Sequence, residues 1–110
     1  MTAKKKLYNI RKSDGSLVQV EGYDLPNDYG MKLIIHKKLT EREDQDLGWT
    51  ISDFWTGANV SAQRHYYEKI SKKNCIELFN LRMTEYPHAV RDYPNLVEGN
   101  VKKYGYANKE

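Results

Sequence analysis

Cysteine occurs once in the 110 residues, at Cys75, so the chain can close no disulfide on itself. That suits a reducing compartment, and the cytoplasm is the expected location. No apolar run approaches the ~20 residues that a membrane-spanning helix requires. The basic start "MTAKKKLYNI" is followed by no apolar stretch of the kind a secretory leader carries. The usual chemical signatures are missing too. His36, His65 and His88 stand far apart, with no H-x-x-x-H or Cys-x-x-Cys spacing, so no metal site is expected. There is no glycine-rich phosphate loop and no G-x-S-x-G around a serine. Cys75 falls in a helix-like stretch beside apolar residues, the setting of an inert thiol. No cofactor and no catalytic residue is expected, and the chain reads as a non-enzyme.

What is present describes a small domain. The length suits one hydrophobic core, and 39% hydrophobic with 30% charged residues is a globular balance. The net charge of +3 is unevenly spread. Residues 1–40 carry eight basic and four acidic side chains, 41–60 one and five, and 61–110 nine and six. The acidic cluster Glu41, Glu43, Asp44 and Asp46 lacks the residue order of a calcium loop and reads as a solvated loop. Nine tyrosines and two tryptophans against two phenylalanines favour half-buried faces, whether cross-strand packing or contact surfaces.

Alternation marks the strands. Tyr8 and Ile10 in "KLYNIRK", then Val18 and Val20 in "LVQVEGY", flank Asp14-Gly15, a pair that closes hairpins. "DLPNDYG" is a loop. "MKLIIHK" is a strand with Met31, Leu33 and Ile35 on one face and Ile34 on the other. "WTISDFWTGANV" is a strand running into a Thr56-Gly57 turn, with "ANV" a candidate for a short return strand. Between these two, Thr40 and Glu43 match a capping box, so either a helical turn or an exposed loop fits.

Residues 61–86 contain no proline or glycine and predict one long helix over 62–85, with Ser61 as N-cap. At 100° per residue, Tyr67, Ile70, Asn74, Leu78 and Leu81 form a stripe expected to face the sheet, with Cys75 at its margin. Ile76, Phe79 and Met83 form a second stripe, which needs another cover. The segment that follows, "EYPHAVRDYPNLVE", says one seven-residue phrase twice. Pro87 is expected to stop the helix, and the repeat to fold back irregularly over the second stripe as a clamp. A homodimer or another protein partner covering that stripe is the alternative, with Tyr86, Tyr93, Phe79 and Met83 as the candidate partner surface. Arg64, Lys69, Lys72 and Lys73 form a basic helix face able to meet phosphates, although no recognised nucleic-acid motif is present.

From Trp49 through the turn and into the helix, the chain resembles small accessory proteins of bacterial phages and mobile elements. The resemblance carries no site residue across. The expected fold is α+β: an antiparallel sheet of three to five strands from 6–60, packed against one long helix, in a domain spanning 1–98 with a flexible tail at 99–110. The expected function is that of a small intracellular binding protein acting through protein contacts. The alternative is weak nucleic-acid binding through the basic helix face.

Overall fold

A computed structural model describes residues 5–12, 14–39, 46–60 and 69–110. The fold is α+β. Strands β1 (Lys6–Arg11), β2 (Leu17–Leu25), β3 (Leu33–Lys37) and β4 (Trp49–Asp53) form an antiparallel sheet in the order β1-β2-β3-β4, followed by helices α1 (Lys72–Glu85) and α2 (Pro87–Tyr104). The first hairpin turns at the expected pair. Asp14 accepts from the Ser16 amide at 2.9 Å, and Gly15 donates to the Lys12 carbonyl at 2.9 Å.

Strand β2 serves two neighbours in succession. Leu17 to Gly22 pair with β1, Gly22 to Leu25 pair with β3, and only Gly22 belongs to both ladders. A Cβ on Gly22 would lie 2.9 Å from the Ile35 carbonyl oxygen and 3.0 Å from the Ile34 side chain, so the hand-over point has room for glycine alone.

Alternation divides the side chains as the sequence predicts. On one face Leu33, Ile35 and Ile51 form a core with Cys75, Phe79 and Met83 of α1. On the other, Ile34 packs with Tyr8 and Phe54, whose rings meet edge-on at 6.1 Å. That second face is closed by the chain leaving β4. Its turn returns to β1, where the Arg11 amide donates to the Gly57 carbonyl at 2.9 Å. The turn begins at Phe54 rather than at Thr56-Gly57, and the expected return strand is reduced to one bridge between Ser52 and Asn59.

The helical region departs from the sequence reading in three ways. First, the expected helix over 62–85 is interrupted, since residues 69–71 are not helical. Helix α1 begins at Lys72 behind Ser71, whose hydroxyl accepts from the Asn74 amide at 3.1 Å. Ile70 is extended, bridging to Gly48, and Ser61 lies outside the described residues. Second, the helix phase is reversed. Cys75, Phe79 and Met83, at i, i+4 and i+8, are the buried stripe, while Asn74 is exposed and Leu81 is 52% exposed. With Ile70 outside the helix, the other stripe loses an anchor and the larger Phe79 decides which side faces the sheet.

Third, the Tyr-Pro repeat is helical. Pro87 occupies the first turn of α2, where a missing N–H costs nothing, and Pro94 sits inside the helix. A seven-residue repeat is close to two helical turns, so Val90 and Val97 share a face. The clamp survives only in part: Ala89 and Val90 pack against the core cluster, but the sheet is what covers Phe79. Residues 99–104 continue α2 instead of forming a tail, and Ala107 is buried against the turn after β4.

Candidate functional site

Strands β2 and β4 flank β3, and across it two large aromatic rings meet on the helix-covered face, where Tyr23 of β2 and Trp49 of β4 have centroids 6.1 Å apart. Lysines crowd this pair. The Lys72 ammonium, in the first turn of α1, stands 3.8 Å from the Tyr23 centroid and 5.4 Å from that of Trp49. Lys37, the register partner of Trp49, places its ammonium 5.2 Å from the indole. Lys37 also bonds both oxygens of Asp46 at 3.1 Å, and Lys69 approaches the same carboxylate at 3.5 Å. The Gly48 amide at 2.9 Å, with help from Lys37, holds Asp46 below the usual carboxylate range.

This arrangement has a local cost. Lys72 and Lys73 open α1 with no acid in the first turn, and a cation there opposes the helix dipole by roughly 0.3–1 kcal/mol. The two cation–π contacts of Lys72 return about 0.5–1 kcal/mol at an exposed site. Among the described residues, the Lys37 and Lys69 ammonium groups meet the Asp46 carboxylate, that of Lys72 stands over the two rings, and Lys73 follows it exposed.

A second polar centre lies where α2 meets the sheet. Asp53 is buried at the end of β4. One of its oxygens accepts from the Thr56 amide and hydroxyl, both at 2.8 Å, and the other accepts from the Tyr93 hydroxyl. The same hydroxyl accepts from the Lys32 amide at 3.1 Å. Burial first, then Asp53, pushes the Tyr93 phenol above its ordinary range.

A third centre is closed to solvent. His36 and Ser52 are each 1% exposed. His36 Nδ1 lies 2.7 Å from the Lys37 carbonyl, which can only accept, so this nitrogen carries the proton and Nε2 accepts from the Ser52 hydroxyl at 2.8 Å. The pair has the look of a nucleophile and its base, but both side chains are almost wholly buried. Burial holds His36 below the ordinary histidine value of 6.5, and the bond to Lys37 opposes that only in part. On acidification the unfolded chain takes up this proton before the folded one does. Stability is therefore complete above pH 6.5 and lost as pH falls through the lower folded value. Unfolding midpoints recorded between about pH 7.5 and 5.5 should fall, a range above the titration of ordinary carboxylates. His36→Gln should flatten that slope, and an unchanged slope would remove His36 as its cause.

The residues singled out by sequence scatter. Of the partner surface, Phe79 and Met83 are core, Tyr93 is tied to Asp53, and only Tyr86 is exposed, with the Arg82 guanidinium 5.4 Å from its ring. Of the basic face, Lys72 and Lys73 open α1, Lys69 precedes the helix and pairs with Asp46, and Arg64 lies outside the described residues, as do His65 and residues 40–45 of the acidic loop. Sequence reasoning missed Tyr23, Trp49 and Lys37 as a group. Strand alternation held the signal, since Trp49, Ile51, Leu33, Ile35 and Lys37 share a face once β3 and β4 are paired. Among the described residues no cluster of three His, Cys, Asp or Glu could hold a metal, and no helix is long and apolar enough to cross a membrane.

Set against known proteins, the chain matches no family model, no curated protein and no solved structure.

Proposed function

We propose that the chain is a small non-enzymatic binding protein, and that the Tyr23–Trp49–Lys37–Lys72 cluster is a weak site for single-stranded nucleic acid. The observation that carries this reading is the placing of Lys37 and Lys72 over two aromatic rings, with Lys69 joined to Lys37 through the Asp46 carboxylate. Single strands are held by positive grooves lined with aromatic side chains. Rings that already hold ammonium groups fix positive charge at the surface, ready for phosphate oxygens. A net charge of +3 is modest, so the affinity should be low and strongly salt-dependent.

Contact with a protein partner is the second reading. Two of the four residues first assigned to it are core, which weakens it. The observation in its favour is the outward side of α1, where Leu81 is exposed and Leu78 half-buried. A phage or mobile-element origin and a cytoplasmic setting accord with either reading and decide neither.

Anisotropy of a labelled oligothymidine measures the first reading. Binding is expected at low salt, and neutralising three to four phosphates should give a slope of log affinity on log salt of roughly −2 to −3. Lys69→Glu with Lys72→Glu should abolish it, while Lys102→Glu with Lys103→Glu on α2 should not. No binding at about 50 mM salt, or binding indifferent to salt, would rule out the nucleic-acid site.

A further inference from the structure

Strand β1 is an edge strand, and an edge presents unpaired N–H and C=O groups that invite another strand. Here the edge is filled from within. The Asn108 side-chain amide accepts from the Asn9 amide at 2.8 Å and donates to the Asn9 carbonyl at 2.8 Å, the two bonds an opposing strand residue would exchange. It also donates to the Phe54 carbonyl at 2.8 Å, joining the β1 edge to the turn after β4.

The neighbours of Asn108 are read one by one. The Ala107 amide donates to the Trp55 carbonyl at 2.7 Å, and the Ala107 carbonyl accepts from the Asn9 side chain at 3.0 Å. Ala107 is buried against Gly57, where a Cβ would stand 3.0 Å from the Ala107 methyl, so the space admits only a small residue. The Tyr106 ring meets Trp55 edge-on at 5.9 Å. The Glu110 carboxylate pairs with Lys32 at 2.7 Å. Backbone bonds give such a groove its hold and side-chain positions its selectivity, which is how strand-addition sites recognise peptides.

We propose that the groove between the β1 edge and the turn at 54–57 is a peptide-recognition site. In this chain residues 105–110 occupy it, and it accepts in trans an extended peptide with the same pattern: an aromatic residue, a small residue, asparagine and, two positions on, an acid. The intramolecular segment competes at the high effective concentration that a short connection provides. Wild-type protein therefore binds such a peptide poorly, and loosening the internal copy frees the groove.

The probe is a labelled Gly-Tyr-Ala-Asn-Lys-Glu peptide titrated against the full chain by anisotropy. Asn108→Ala removes three hydrogen bonds from the internal segment and should lower the apparent Kd at least about tenfold relative to wild type, in proportion to the fraction of open groove. Glu110→Lys, an exposed change that sets like charges at Lys32, should act in the same direction and carries the test if Asn108→Ala fails to fold. A peptide with alanine in place of its asparagine should lose the gain. Equal binding to wild type and both variants, no binding to a folded variant, or no loss with the altered peptide would each overturn the proposal.

Discussion

Phe79→Ala should lower the stability of the domain by about 3–5 kcal/mol, the range for a buried phenylalanine truncation that leaves a cavity. Phe79 is 3% exposed and sits among Leu33, Ile35 and Ile51 of the sheet, with the Tyr29 ring edge-on at 5.9 Å. None of these neighbours can follow the retreating side chain, because Ile35 and Ile51 are paired across the ladder between β3 and β4. Leu78, one residue away, is only partly buried and stands outside the core cluster, so truncation to alanine should cost far less, about 1 kcal/mol. Urea denaturation of the two variants compares them directly. If Leu78→Ala proved as costly as Phe79→Ala, the helix would be rotated by roughly a quarter turn or more and the buried stripe misassigned.

Tyr93→Phe should cost about 2–3 kcal/mol, because it strips a donor from a buried carboxylate and an acceptor from the Lys32 amide. The substitution leaves the ring and its packing in place, so the loss belongs to the hydroxyl. Asp53→Asn combined with Tyr93→Phe should cost less than the sum of the single changes, since each alone strands the other's partner. Alkaline pH gives a separate check. Tyr93 holds its proton in the folded chain beyond the ordinary value of 10.0, so the unfolded chain releases it first. Stability is present below pH 10 and declines above it. Tyr8, raised by burial and by its 2.6 Å bond to Asp24, contributes a similar decline. Tyr93→Phe should therefore reduce the alkaline slope and leave a remainder. An undiminished slope and a loss under ~1 kcal/mol would show that the hydroxyl does not hold α2 to the sheet.

The legible parts of this fold were the local ones. The first hairpin followed from alternation around Asp14-Gly15, and the two faces of β3 from Leu33 and Ile35 against Ile34. The start of α1 was misread because Ser61 and Ser71 are equally good caps, and nothing between them but β-branched Ile70 speaks against a helix. The second helix is hidden in the sequence because proline is ordinarily a helix breaker. Pro87 is well placed at a first turn, and the spacing of seven was itself the helical signal. Asp53 and Tyr93, 40 residues apart, and Asn9 and Asn108, 99 apart, meet only through the folded chain, and no local pattern announces either pair. The lysine-and-aromatic cluster stood between these extremes, since its strand members become neighbours once the register is known.

The simple strand order has a consequence in time. Every strand lies beside its neighbour in sequence, so each pairing closes a short loop and the meander can assemble with little entropy lost to distant encounters. Residues 105–110 obey the opposite rule. Their partners on β1 and in the turn at 54–57 must already be in place, and Asn108 reaches back across 99 positions to find Asn9. During synthesis the sheet can therefore form while its β1 edge is still bare. Until residues 105–110 emerge and dock, the nascent chain exposes the backbone groups that the finished protein covers.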